Sequence, residues 1–108
     1  MRYDSLVRDI KYYVSTHLNE NLSVKTLAER GYMSVTNFSR VFKQQTGISP
    51  YEYVLISRLN KAKELLRQTD MNISQIAAAV GFNSDSNFIH FFSQNTGISP
   101  KSFRKLEF

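Results

Sequence analysis

Few side chains in this sequence could support catalysis. Its 108 residues include two histidines, His17 and His90, and no cysteine. The histidines fall on different predicted helices, and Asp85 precedes His90 by five residues, a separation that directs the two side chains apart on a helix. The sequence lacks a glycine-rich phosphate loop, a metal-ligand cluster and a Ser/His/Asp arrangement. These observations argue against an enzyme, and they predict neither a cofactor nor a metal site.

Polar side chains that could bind a ligand through hydrogen bonds occur instead in a duplicated segment. Residues 34–50 reappear as residues 84–100, with ten of the seventeen positions identical. The last five residues of both copies read Thr-Gly-Ile-Ser-Pro. A match of this length in so short a chain indicates an internal repeat.

Five of the seven positions that differ between the two copies lie on one face of an α-helix. Both copies keep two phenylalanines four residues apart, which is the spacing of a buried stripe. The changes recur at helical intervals, in the pairs Val35/Asp85, Thr36/Ser86, Ser39/Ile89, Arg40/His90 and Lys43/Ser93. Either the two helices present different binding surfaces on a shared scaffold, or exposed positions have drifted neutrally. The repeat alone favours neither explanation.

Helix-start and helix-stop signals divide the chain into seven predicted helices, so the sequence predicts an all-α fold. The first helix is expected to end near residues 19–21, and glycines at 31, 47, 81 and 97 stop the second, third, fifth and sixth. The predicted caps, in chain order, are Asp4, Ser23, Ser34, Ser49, Asn72, Ser84 and Ser99.

These helices are expected to form two helix-turn-helix subdomains joined by a long central helix, a tandem of homeodomain-like units. The first subdomain covers residues 1–49, the central helix residues 50–68 and the second subdomain residues 69–108. The second helix of each helix-turn-helix, here called a reading helix, covers about residues 34–46 and 84–96. The central helix would be roughly 27 Å long. Its expected apolar positions are Tyr53, Ile56, Leu59, Ala62, Leu65 and Leu66.

The formal charge of +5 is concentrated in the middle of the chain. Residues 22–69 hold eight basic and three acidic side chains, whereas residues 1–21 and 70–108 hold three of each. A basic segment is typical of a polyanion binder, although three of its charges, on Lys61, Lys63 and Arg67, also fit an ordinary solvated helix. The absence of cysteine, of a signal-peptide pattern and of a long apolar run predicts a soluble cytoplasmic protein with no membrane segment.

A helix-turn-helix can place its second helix in the major groove of DNA, where side chains read base edges. Two reading helices can share one face of a duplex when they lie about one turn apart, roughly 34 Å, and the central helix has a length of that order. A duplicated unit with different outward faces therefore predicts binding to double-stranded DNA. The alternative is a helical protein-interaction module that does not bind DNA. RNA is less favoured, because no aromatic stacking platform on strands is predicted.

Two runs of residues resemble the DNA-binding domain of the AraC/XylS family of bacterial transcription regulators. The first run is Ala28, Phe38, Arg40, Phe42-Lys43, Gly47, Ser49-Pro50, Arg58, Ala62 and Leu65-Leu66, and the second is Ile76-Ala77, Gly81-Phe82, Ser86, Phe88, Phe92, Gly97 and Pro100. The likeness covers about residues 4–105. It implies two helix-turn-helix motifs in adjacent major-groove segments and control of promoters, usually activation through contact with RNA polymerase. Most members attach this domain to a sensing or dimerising domain, and the isolated domain is expected to be a monomer.

The resemblance also implies roles for individual residues. Base contacts are expected from Thr36, Ser39, Arg40, Asp85, Ser86, Asn87, Ile89 and His90, with Val35 and Lys43 at the margins of the first reading helix. Phosphate contacts are expected from Ser34, Lys43 and Ser84. Arg40 is the strongest candidate, because a guanidinium group can pair bidentately with guanine.

The second reading helix departs from the family pattern. It has His90 where arginine is common and Ser93 where lysine is common, and Asp85 adds a negative charge. Asp85 could accept a hydrogen bond from a cytosine amino group, or it could weaken the contact. We therefore expect the first unit to supply most of the affinity and the second to supply specificity or conditional binding.

Overall fold

The computed structural model describes residues 3–106, which form seven α-helices and, within that range, no strand. The helices are α1 (Asp4–Thr16), α2 (Val24–Arg30), α3 (Val35–Thr46), α4 (Pro50–Gln68), α5 (Ile73–Ala79), α6 (Asp85–Thr96) and α7 (Pro100–Lys105). The chain divides into two compact units, Met1–Ser57 and Arg58–Phe108, so that α4 contributes to both. The all-α prediction is confirmed.

Local capping accounts for most of the helix ends. The side chains of the N-cap residues accept a hydrogen bond from the backbone N–H three residues further on, and these residues are Ser23, Ser34, Asn72, Ser84 and Ser99. Gly47 and Gly97 follow α3 and α6 with φ of 86° and 83°, in the left-handed region that favours glycine. The reading helices therefore begin and end at signals that the sequence itself carries.

Helix α1 differs from its prediction at both ends. It begins after Tyr3, so Asp4 is its first residue rather than its cap. It ends at Thr16, three residues before the expected stop, and His17 follows as the C-cap residue. The ring of His17 stacks on Tyr13 with centroids 3.9 Å apart, and its Nδ1 lies 2.9 Å from the Tyr13 carbonyl oxygen. His17 is half-buried and has a structural role.

Two phenylalanines of α3 form the centre of the first unit's core. Phe38 and Phe42 are buried with ring centroids 5.7 Å apart, and Phe42 packs edge-on against Tyr53 of α4. Val54 is also buried here, whereas Ile56, which was predicted to face inward, is 46% exposed. The reason is the spacing of the buried stripe along α4, which advances in steps of four rather than three and contains Pro50, Val54, Ala62 and Leu66.

Arg58 falls on the same stripe of α4. Its guanidinium group lies 6.0 Å from the ring of Phe82, and burial lowers the pKa of Arg58 from its usual value by desolvation. A cation at this position is therefore part of the second unit's packing.

The second unit repeats the aromatic core of the first. Phe88 and Phe92 of α6 are buried with centroids 6.0 Å apart, and Phe92 meets Phe103 of α7 edge-on. Leu106 was expected within the last helix, but it follows α7 and is half-exposed.

The two helix-turn-helix turns close with equivalent backbone hydrogen bonds. The Met33 N–H donates to the Ala28 carbonyl oxygen at 3.0 Å, and the Phe82 N–H donates to the Ala77 carbonyl oxygen at 2.9 Å. Met33 and Phe82 therefore occupy the same place in the two turns. Their separation is forty-nine residues, although α3 and α6 are fifty residues apart. The second turn thus contains one additional residue, Asn83, before its reading helix.

The residue before that hydrogen bond is left-handed in both turns. In the second turn it is Gly81, with φ of 93°, and in the first it is Tyr32, with φ of 56°. Gly31, which was predicted to stop the second helix, directly follows Arg30 as the C-cap residue of α2 and has an ordinary φ of −89°. The one-residue difference in register moves the left-handed position from a glycine onto a tyrosine.

Candidate nucleic-acid interface

The predicted contact residues of α3 lie opposite its buried side. Thr36, Arg40 and Lys43 are exposed, and Val35 is 45% exposed. Ser39 is half-buried, which restricts its access to a ligand. The structure therefore brings most of the predicted first-helix set onto one accessible face.

Arg40 is held along the surface of α3 by two neighbours on the same helix. Its Nη2 donates to Asn37 Oδ1 at 2.5 Å, and its Nη1 donates to Gln44 Oε1 at 3.4 Å. Asn37 lies three residues before Arg40 and Gln44 four residues after it, so both pairs have the spacing of helix-surface contacts. The guanidinium group is thus oriented before any ligand arrives.

The remaining hydrogens of Arg40 are sufficient for a bidentate contact. A guanidinium group has five N–H donors, two on each terminal nitrogen and one on Nε. The bonds to Asn37 and Gln44 use one hydrogen on each terminal nitrogen. A second hydrogen on each is left to meet a pair of acceptors such as guanine O6 and N7.

Asn37 and Gln44 were absent from the predicted contact set. Both residues recur in the second copy of the repeat, as Asn87 and Gln94. Their helical spacing from residue 40 was the signal that could have indicated a supporting role.

The predicted phosphate-contacting serines are the caps of the reading helices. Ser34 Oγ accepts from the Asn37 N–H at 3.2 Å, and Ser84 Oγ accepts from the Asn87 N–H at 3.1 Å. Capping uses an acceptor site of each hydroxyl, so its O–H remains able to donate. Ser34 is exposed, whereas Ser84 is half-buried and therefore less accessible.

All five predicted contact residues of α6 are exposed. They are Asp85, Ser86, Asn87, Ile89 and His90. Ile89 is 39% exposed and lies, with Ile73 and Pro100, beside a depression of about 210 Å³. The face of α6 is accessible in the same way as that of α3.

Asp85 has a partner within its own unit. Its Oδ2 accepts a hydrogen bond at 2.5 Å from the hydroxyl of Ser74, on α5. Asp85 is also the first residue of α6, where a carboxylate is favoured by the helix dipole. These two interactions account for the acidic residue on this face of α6, and Ser74 was not among the residues predicted from the sequence.

The two faces differ in charge. Helix α3 contains Arg40 and Lys43 and no acid, whereas α6 contains Asp85 and no lysine or arginine. An exposed cation attracts phosphate, and an exposed carboxylate repels it. The first unit's face is therefore the better polyanion surface.

Other kinds of site find little support in the described part of the chain. No group of three or more His, Cys, Asp or Glu side chains that could hold a metal ion occurs among residues 3–106. His17 and His90 belong to different units. None of the helices described is long and apolar enough to cross a membrane.

Comparison with known sequences shows that this chain is similar to bacterial regulatory proteins. A family model described as a helix-turn-helix domain matches residues 27–106. The HTH-type transcriptional activator RhaS of Enterobacter sp. (strain 638) is 33% identical over 78 residues, which are 72% of this chain and 28% of that protein. The regulatory protein PocR of Salmonella typhimurium is 33% identical over 79 residues, which are 73% of this chain and 26% of that protein. The chain thus spans less than a third of the length of these curated relatives.

The fold of this chain also matches solved structures of domains from regulators. The C-terminal domain of AraT, a response regulator from Geobacillus stearothermophilus, matches with a TM-score of 0.88 and 32% identity over 97% of this chain and 88% of that one. The DNA-binding domain of AdpA, a global transcriptional factor, was solved in complex with a target DNA. It matches with a TM-score of 0.84 and 32% identity over 91% of this chain and 88% of that one.

Proposed function

Because the chain belongs to the AraC/XylS family of helix-turn-helix transcription regulators, we propose that it binds double-stranded DNA sequence-specifically and so controls bacterial transcription. The observation that carries the proposal is the pair of reading helices. Both have a buried phenylalanine pair and the same caps, yet their exposed faces differ. The family is one of transcription regulators and not a class of enzymes, and we assign this chain no catalytic activity.

Arg40 is the principal base reader in this proposal. Its terminal nitrogens keep one free hydrogen each, and bidentate pairing with guanine is worth about 1–3 kcal/mol of discrimination. Thr36 lies one turn before it on the exposed face and would contact a neighbouring base, with Ser39 between them. Lys43 and the Ser34 hydroxyl would contact phosphates that border the same groove segment.

The second reading helix would add sequence preference with little electrostatic attraction. Ser86, Asn87 and His90 can form hydrogen bonds with base edges, and Ile89 can contact a thymine methyl group. Asp85 retains acceptor capacity beyond its bond to Ser74 and could accept from a cytosine amino group.

The proposed assembly is the family's tandem arrangement. The subdomains at residues 1–49 and 69–108, linked by residues 50–68, would place their reading helices in adjacent major-groove segments. The domain would act in the cytoplasm as a monomer, within a regulator that activates promoters through RNA polymerase and can dimerise through another domain.

Selection of bound duplexes from a random DNA pool tests the proposal. We expect an enriched motif with two blocks, one per reading helix, separated by about one helical turn. Repeating the selection with Arg40→Ala should erase the preference for guanine at one position and leave the rest of the motif.

Two results would contradict the proposal. If no motif is enriched and no duplex is retained at low salt, the chain is better described as a protein-interaction module. If a motif is enriched but is unaffected by Arg40→Ala, the assignment of the principal reader is wrong.

A further inference from the structure

Tyr32 is the most exposed of the large hydrophobic residues of the described chain. Its side chain is 97% exposed, compared with 71% for Tyr12 on α1. It precedes Met33 and Ser34, and Ser34 is the cap of the first reading helix. A phenol group with so little contact with its own fold contributes almost nothing to the core.

The backbone conformation of Tyr32 is also unfavourable for tyrosine. A φ of 56° is unfavourable for a residue with a Cβ atom, and the equivalent residue of the second turn is Gly81. Both turns close with the same backbone hydrogen bond, so glycine serves this geometry at least as well. The fold therefore gives no reason for a tyrosine at this position.

Tyr32 lies near the N-terminus of the first reading helix, which is proposed to enter the major groove. Two residues of chain span at most about 7 Å, so Tyr32 lies within that distance of Ser34. The major groove is about 12 Å wide, which places each phosphate wall roughly 6 Å from the axis of a helix lying along it. A side chain that projects from the turn at the helix N-terminus is therefore within reach of a phosphate.

We infer that the Tyr32 hydroxyl donates a hydrogen bond to a DNA phosphate that borders the segment read by α3. The inference rests on the proposed function and adds a contact to it. Tyrosine is one of the side chains that bind phosphate oxygens in protein–DNA complexes. Because tyrosine is neutral, this contact would anchor the reading helix without displacing a counterion.

The test compares Tyr32→Phe, Tyr32→Gly and the matched control Tyr12→Phe on a duplex selected by the unmodified chain. Both Tyr32 variants should bind about three- to tenfold more weakly, and Tyr12→Phe should bind like the unmodified chain. The slope of affinity against salt should not change for Tyr32→Phe, whereas Lys43→Ala should lower it by about one. Tyr32→Gly should melt no lower than the unmodified chain, because it relieves the left-handed backbone.

The outcomes distinguish failure of the Tyr32 contact from failure of the proposed DNA binding. Unchanged affinity in both Tyr32 variants, with weaker binding by Arg40→Ala, would overturn the phosphate contact and leave DNA reading intact. A loss in Tyr32→Gly that Tyr32→Phe does not share would also refute the hydroxyl contact. If no duplex binds any of the proteins, both proposals fail together.

Discussion

Arg40 combines a charge, a planar donor group and a fixed orientation. Asn37 and Gln44 hold its guanidinium group against α3, so that less side-chain freedom is lost when it meets a base. His90 occupies the corresponding place on α6 but carries fewer donors. The two residues should therefore contribute unequally to binding.

Arg40→Ala should weaken binding to the selected duplex by roughly 5- to 150-fold, which corresponds to about 1–3 kcal/mol. His90→Ala should weaken it less. Lys61→Ala is a charge-matched control, because Lys61 is an exposed cation paired with Glu64 at 3.0 Å. Fluorescence anisotropy titrations measure all three, and an equal or larger loss for the histidine variant would contradict the assignment.

Asp85 is the one carboxylate on either reading helix. Asp85→Asn should raise the affinity for non-specific duplex severalfold at low salt, because a negative charge near phosphates is removed. The bond from Ser74 can persist, since an amide oxygen also accepts. Stability should fall by about 0.3–1 kcal/mol through the lost helix-dipole interaction. Unchanged non-specific affinity would show that the carboxylate lies outside the range of the phosphates.

Among the elements, the C-terminus of α4 is secured by α7. Arg104 Nε donates to the Leu66 carbonyl oxygen at 3.0 Å, and Nη2 donates to the carbonyl oxygens of Thr69 at 3.2 Å and Leu65 at 3.5 Å. The last carbonyl groups of a helix lack partners within the helix, and a cation there also interacts favourably with the dipole. This contact fixes a short helix of six residues to the longest helix of the chain.

Arg104→Met removes these bonds while keeping much of the aliphatic stem. We expect the second unit to lose about 2–3 kcal/mol of stability, since three carbonyl groups lose a charged donor. Lys105→Met is the control, because Lys105 is an exposed neighbour on the same helix. Hydrogen exchange resolves the effect, which should appear in α7 and the end of α4 and should spare α2 and α3. Equal protection in the two variants would show that the three bonds add little.

For the whole molecule, the division into units changes the interpretation of the charge. Residues 1–57 hold seven basic and five acidic side chains, and residues 58–108 hold seven and four. Part of the basic middle segment thus belongs to the second unit, where Arg58 faces Phe82 and Lys61 pairs with Glu64. The expectation that the first unit dominates affinity therefore depends on the faces of α3 and α6 and not on segment totals.

Salt dependence tests the proposal at this scale. A domain that neutralises four phosphates should lose affinity about 100-fold between 50 and 200 mM salt, because each contact releases condensed counterions. Titrations at several salt concentrations give the slope. A slope near zero would mean that phosphate contacts do not drive association and would favour a protein-interaction module.

The sequence by itself determined the seven helices, the repeat and the reading helices. These depend on local chemistry: Ser34 and Ser84 cap their own backbones, and Gly47 and Gly97 stop the helices that they follow. The buried phenylalanine stripe defined the inward side of each reading helix and therefore the exposed side opposite to it. The family resemblance then indicated which exposed residues contact DNA.

Only the tertiary structure decided which residues meet across elements. The burial of Val54 in place of Ile56, the bond from Ser74 to Asp85 and the left-handed backbone of Tyr32 each depend on how neighbouring helices pack. Helical periodicity indicates that a buried stripe exists, but it does not fix whether the stripe advances by three or by four residues or which residues it contains, because contacts between residues far apart in the chain decide this.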